Sequence, residues 1–402
     1  MVQAARAGEI TAGTHPFAAA NATVERAAHP KAGDASPWTL ALSGGITLET
    51  GGKREARQVR ARALTMAATL RVDATGWQLA QEARQAAVAV AGADRDVGDA
   101  EVETTALRTV LELLRARYAE GRVSLADIAQ SETDVQTAVV ALVQARRART
   151  EARSALARAL GVQLRQVEFT SLRDEARIGC ATGDSIGTDG SIALGANALS
   201  TIALQSRREL GVAIAEYAIA EADLRVAVAQ QYPDLTIGPG IAWNQGVGRW
   251  LLSVGSSAIT TNRNRGPIAE AEAQRTVRAA HVAVVQDSIL AQLDSGIAGC
   301  RDLRGDIAAA DSLVATAAER LRLADASYAR GETGQTEVAL ARLALVRVSR
   351  TQHQAIQRRQ AAGAALEAVL GRWLTRPEIR WPSLLEPVDS TSRPPPPTEN
   401  RK

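Results

Sequence analysis

The chain has 402 residues, only 3% of them aromatic, and a formal charge of +3 from 47 basic and 44 acidic side chains. A ball of this length fills its core with Phe, Tyr and Leu, so the composition excludes ordinary globular packing and favours long helices packed at close range. The small, interleaved charge excludes a nucleic-acid footprint: Arg146, Arg147, Arg149 and Arg153 cluster, but acids alternate with such cations as on a solvated helix face.

In chain order, the start MVQAARAGEITAG lacks the apolar centre of a signal peptide. No stretch approaches the roughly 18 to 20 apolar residues of a spanning helix, so entry into a membrane is expected only through strands. Residues 1–35 show neither a long helical period nor an alternating strand, and are read as an irregular or truncated N-terminus. From Trp38 to Glu49 the pattern alternates: Trp38, Leu40, Leu42, Ile46 and Leu48 share one face, with Thr39, Ala41, Ser43, Thr47 and Glu49 on the other. A basic turn, Gly51-Gly52-Lys53-Arg54, leads into a long helical pattern that stops at Tyr118-Ala-Glu-Gly121-Arg-Val-Ser124. In the helix that returns, Ile128, Val135, Leu142 and Leu156 form a large seam beside Ser131, Ala138, Ala145, Ala152 and Ala159.

The pattern then repeats. At a constant offset of 328 − 118 = 210, Leu42, Ser43 and Gly45 meet Leu252, Ser253 and Gly255, and Tyr118, Ala119 and Gly121 meet Tyr328, Ala329 and Gly331. Leu156, Leu160 and Gly161 likewise meet Leu366, Leu370 and Gly371, so two halves of one fold are expected. The second copy adds a strand hairpin: Leu235, Ile237, Ile241 and Trp243 alternate with small residues, and Trp250, Leu252 and Val254 resume the pattern. After Asn262-Arg263-Asn264-Arg265-Gly266 nothing breaks the helix up to Tyr328, which at 1.5 Å per residue is roughly 95 Å. Its return helix places Val338, Leu345 and Leu366 beside Ala341, Val348, Ala355, Ala362 and Val369.

The domain reading is therefore an N-terminus of 1–35, a first repeat of 36–162 with one strand, a connector of 163–203, a second repeat of 204–373, and a disordered Pro-rich tail of 374–402. The fold class is mostly α with a small β part. Cys180 and Cys300 lie outside any C-x-x-C spacing and are expected to be unrelated apolar residues. His15, His29, His281 and His353 never fall at metal-ligand spacing, and no catalytic triad or phosphate loop is present, so neither enzyme, metal site nor cofactor is expected.

These residues carry a family resemblance. The segment Leu204 to Leu235, the run NRNRGPIAEAEAQR at 262–275, and the two Tyr-Ala-x-Gly turns, each leading to a helix that ends in Leu-Gly, resemble the TolC family of outer-membrane efflux proteins. ETGGKR at 49–54 beside NRNRG is most similar to the branch serving heavy-metal resistance pumps of the cobalt, zinc and cadmium type.

The resemblance implies a homotrimer whose strands close one shared barrel in outer-membrane lipid and whose helices form a tunnel across the periplasm. Its partners would be a periplasmic adaptor and an inner-membrane pump of the resistance-nodulation-division type. Adaptor docking is carried to Tyr118, Gly121, Arg122, Val123, Ser124, Tyr328, Gly331, Glu332 and Thr333. A tunnel-entrance carboxylate is implied at Glu337, with Asp127 at the equivalent position, since 337 − 127 is again 210. Lipid contact is expected at the Trp38–Leu48 face with Trp243 and Trp250 near strand ends. Two alternatives stay open: a structural coiled-coil protein, for which the alternating strands have no use, and a truncated, non-functional copy of the channel. The exported solute is not legible.

Overall fold

The computed structural model describes residues 1–16, 18–26, 28, 37–167, 196–244, 247–256 and 263–373. Most of the connector, the whole Pro-rich tail, His29 and Cys180 lie outside the described residues. The elements are α1 (Val2–Gly13), β1 (Ala19–Arg26), β2 (Trp38–Leu48), α2 (Lys53–Ala119), α3 (Leu125–Ala159), α4 (Ala196–Ser206), α5 (Arg208–Ala229), β3 (Leu235–Asn244), β4 (Val247–Ser256), α6 (Arg265–Ala329) and α7 (Gln335–Leu370). They fall into two compact units: residues 1–74 with 208–287, and residues 75–207 with 288–382.

The first unit holds a four-stranded antiparallel sheet in the order β1-β2-β3-β4. β1 overturns the expectation that residues 1–35 contain no strand, and α1 adds a 12-residue helix there. The alternation in Ala19–Arg26 is built from Ala and Asn rather than large apolar residues, so only pairing with β2, from Ala19↔Gly45 to Arg26↔Trp38, makes it evident. Among the described residues, four strands replace the three read from the sequence.

Gly51 and Gly52, at φ +67° and +70°, turn the chain from β2 into α2. Arg263 and Asn264 do the same before α6 at +44° and +54°, where the Asn264 amide donates to the Ala227 carbonyl at 2.7 Å. The two helix starts are 265 − 53 = 212 residues apart, whereas the turns at the other helix ends are 331 − 121 = 210 apart. The ungapped offset therefore breaks near the sheet, and α2 has 67 residues against 65 in α6.

In the second unit, Leu107, Val110 and Leu111 of α2, Ile128, Val135 and Ala138 of α3 and Leu343 of α7 pack into one cluster. The first half of the α3 seam is buried as its spacing implies. On α7 the buried residue is Leu343 rather than Leu345, because α7 packs on two neighbours and its buried stripe is wider than a single heptad seam. Ion pairs lace the helices: Arg146 meets Glu101, Arg149 and Arg153 meet Asp94, and Arg347 and Arg350 meet Glu103. Three of the four clustered arginines on α3 are thus spent on α2.

The end of α7 is tightly packed. Arg207 Nη1 donates to the Ala368 and Val369 carbonyls, two of the groups that a helix end leaves open. Glu367 is fully buried and accepts from Arg84 Nε at 3.0 Å, while the Arg84 guanidinium lies over Trp373. Trp373 in turn meets Trp77 with ring centroids 4.9 Å apart. Cys300, also fully buried, is disulfide-bonded, which corrects its reading as an unrelated apolar residue.

Candidate functional site

The sheet is the first candidate surface. Residues directly opposite one another in an antiparallel ladder share a face. The register Val24↔Leu40↔Trp243 and Ala22↔Leu42↔Ile241↔Trp250 therefore assembles one apolar face across four strands. All of the large residues on it are exposed: Trp38, Leu40, Leu42, Ile46 and Leu48 on β2, Trp243 on β3, and Trp250, whose exposure reaches 90%. The opposite face carries Thr23, Thr39, Ser43, Thr47, Thr236, Gly238 and Ser253 and is small or polar on β1, β2 and β3, while β4 adds Val247 and Leu251 to it. An uncovered apolar face inverts soluble packing, where the apolar face is the covered one. Trp38 and Trp243 stand near the strand ends joined by the connections 27–37 and 245–246, and Tyr232 marks the other end beside the helices; Trp250, expected near a strand end, instead lies further in, level with Ile241 and Leu42.

The ETGGKR motif is the joint between this sheet and α2. Thr50 donates its N–H to Asp234 and its hydroxyl to the Pro233 carbonyl, Lys53 Nζ lies 2.8 Å from Asp234, and Arg57 Nη2 lies 3.0 Å from Glu49. The Tyr232 ring fills the space above Gly51, where a Cβ would come within 2.6 Å of it. Arg54 reaches back to the Gly13 carbonyl and to His15, tying in α1. The hydrogen bond from Arg57 holds the Glu49 carboxyl below its usual range. Burial pushes Asp234 upward, but the donors Lys53 and the Thr50 N–H, with the nearby charge of Arg57, outweigh it and leave that carboxyl lowered as well.

A depressed carboxylate contributes stability above its unfolded pKa and loses it as the pH falls through the folded value. Lys53→Met should therefore lower the thermal midpoint at pH 7, with the gap to the parent closing below about pH 4. Thermal unfolding followed by circular dichroism at several pH values checks this, and a gap that stays constant into acid would refute the linkage.

The second candidate surface is the pair of turns ending α2 and α6. Gly121 at φ +71° and Gly331 at +74° end the helices with the same paired bonds. Gly121 N–H bonds the Tyr118 carbonyl and Arg122 N–H bonds that of Arg117; Gly331 and Glu332 repeat this with Tyr328 and Ser327. Tyr118 and Tyr328 are about half exposed, and Gly121, Arg122, Ser124, Gly331 and Glu332 are exposed, whereas Val123 and Thr333 are partly covered. Arg122 pairs with Glu120, and Arg330 with Glu332. Leu125, exposed by 65%, adds an apolar contact point that the motif match missed; its counterpart in the second copy is Gln335. A groove of about 590 Å³ runs between α2 and α7, lined among others by Val102, Ala106, Leu113, Val338 and Val346.

Asp127 and Glu337 occupy equivalent positions and unlike environments. Ser124 caps α3 and exchanges hydrogen bonds with Asp127 in a capping box, and the Ser124 hydroxyl and N–H hold that carboxyl below its usual range. The equivalent cap of α7 is Gly334, which offers no hydroxyl. Glu337 bonds its own backbone N–H, which lowers its pKa against the opposing effect of burial, and accepts from Arg117 of α2 at 3.0 Å, which lowers it further. The sequence carried no signal for that pairing across the two copies.

Residues 13–162 match the family described as outer membrane efflux protein. No curated protein matches the sequence significantly. Among solved structures, the chain is similar to CusC, studied for folding and transmembrane channel formation (18% identity, 92% of this chain and 87% of that one, TM-score 0.72). It is also similar to the outer membrane protein VceC of Vibrio cholerae (19% identity, 93% and 91%, TM-score 0.70) and to the MtrE outer membrane channel of Neisseria gonorrhoeae (18% identity, 93% and 85%, TM-score 0.68). The match to the outer membrane efflux protein family thus spans residues 13–162, and the chain as a whole has the mostly helical, small-sheet fold of the solved outer-membrane channels it is similar to.

Proposed function

We propose that this chain is one protomer of a homotrimeric exit duct, in which three four-stranded sheets close into a single barrel in the outer membrane. The observation that carries the reading is the exposed apolar face of the sheet, backed by a face that is small and polar on three of its four strands. Such a sheet suits lipid outside and water inside. Among the described residues one sheet ends in two edge strands, β1 and β4, which in lipid must find partners because backbone N–H and C=O groups there have no water to bond. Other copies of the chain supply those partners. Strands of 8 to 11 residues, tilted as in known barrels, rise roughly 20 to 28 Å, close to the apolar band of an outer membrane. A disulfide-bonded Cys300 fits an oxidising compartment such as the periplasm.

The helix-end turns at Gly121 and Gly331, with the Tyr118, Leu125 and Tyr328 side chains beside them, are where a periplasmic adaptor would dock and link the duct to an inner-membrane pump of the resistance-nodulation-division type. Glu337 would line the tunnel entrance, where Arg117 tempers its charge. The cargo class, metal ions or small toxic solutes, rests on the likeness of ETGGKR and NRNRG to the heavy-metal branch. A coiled-coil scaffold has no use for the sheet.

Detergent extraction of the outer-membrane fraction, sizing under native conditions and recording in a planar bilayer test this together. The expected result is a trimer with conducting channels whose cation preference falls in Glu337→Gln. A monomer found only in the soluble fraction would overturn the duct, and unchanged ion selectivity would remove Glu337 from the entrance.

A further inference from the structure

We propose that the apolar face of the sheet carries a lipid site at its Trp-rich end, shaped for one acyl chain and for the phosphate of an anionic lipid. The proposal rests on the membrane reading above. A groove of about 500 Å³ crosses the face between Val24, Leu40, Leu42, Ile241, Trp243 and Trp250. Ala22 and Gly248 keep its floor low, since neither offers a side chain large enough to fill it. Trp250 and Trp243 wall it while remaining 90% and 51% exposed, so no group of this chain covers it among the described residues.

Arg249 also lines the groove but belongs to the opposite face by register; Arg26 stands beyond the lining, on the apolar face. Its register partner is Trp38, which places both on the apolar face one step beyond Val24↔Leu40, toward the strand end. The guanidinium carbon lies 5.7 Å from the centroid of the Trp38 ring. Arg26 is the one charged side chain on that face among the described strand residues.

A cation on a lipid-facing surface costs up to about 4 kcal/mol at the bilayer midplane and almost nothing near the interface, so its place at a strand end matches headgroup depth. Stacking on the ring orients the planar guanidinium and leaves its edge N–H donors for a two-oxygen acceptor, a geometry that phosphate satisfies. Groove and cation together fit a chain lying along the barrel wall with its phosphate at Arg26.

The full-length protein, reconstituted in phosphatidylcholine vesicles, would be titrated with either phosphatidylglycerol or phosphatidylcholine carrying brominated acyl chains, and tryptophan quenching followed. Brominated phosphatidylglycerol is expected to associate about fivefold more strongly, the size of one basic contact to an anionic lipid. Arg26→Gln should abolish this preference and leave quenching by the phosphatidylcholine probe unchanged. Val24→Phe, which narrows the groove, keeps Arg26 and adds no tryptophan, should weaken association of brominated phosphatidylglycerol. Equal quenching by both lipids in the parent, or a preference that survives both substitutions, would overturn the site. Quenching by neither lipid would instead overturn the placement of the sheet in the membrane.

Discussion

Leu42→Arg should abolish assembly in the outer membrane, while Ser43→Arg on the adjacent strand position should be tolerated. Leu42 is the fifth of the 11 residues of β2, exposed by 54%, and it lies level with Ile241 and Trp250 on the apolar face. An arginine placed there meets the middle of the bilayer and costs about 2 to 4 kcal/mol per protomer, whereas Trp38→Arg, at the strand end, costs about 0 to 1. In a trimer the cost enters three times. Ser43 belongs to the polar face, where an added charge meets water and changes conduction rather than insertion. Heat-resistant oligomer in membrane fractions, quantified for the three variants, checks the ordering. Equal assembly of Leu42→Arg and the parent would mean that the sheet is not in lipid.

The second large effect is expected at the end of α7. Gly161 and Gly371 both adopt left-handed backbone, at φ +67° and +68°, and each closes a return helix. Replacing either with alanine incurs about 1 to 2 kcal/mol for that conformation. At Gly161 nothing lies within 4 Å of the new Cβ, so the cost ends there. At Gly371 the Cβ would stand 2.7 Å from the Ser206 carbonyl oxygen, a backbone atom that cannot rotate away, which adds an overpacking cost of about 1 to 3 kcal/mol. Gly371→Ala should therefore lower the denaturant midpoint markedly more than Gly161→Ala. Chemical denaturation of both variants by circular dichroism measures the difference, and equal midpoints would show that the contact with Ser206 relaxes without cost.

This pair also shows where reading the chain residue by residue stops. By itself the sequence determined the strand Trp38–Leu48, the hairpin after Leu235, the two turns at Gly121 and Gly331, and the doubled plan of the chain, because alternation, helical period and the demand for glycine at positive φ are each written in neighbouring residues. The likeness to outer-membrane channels was legible for the same reason.

What only the tertiary structure decided depends on groups brought together from far along the chain. Ala19–Arg26 is a strand because β2 presents a ladder to it. Asp127 and Glu337, alike in sequence position, part company because Ser124 caps one helix and Gly334 the other, freeing Glu337 for an arginine 220 residues away. The two extra residues of α2 escape an ungapped comparison, since a uniform helical stretch absorbs them without a local mark. Glu367, an ordinary acid in the sequence, is fully buried against Arg84 because α2 and α7 close over it. Local conformation follows from local chemistry. Pairing, burial and charge partnership follow from packing, which no short window of residues contains.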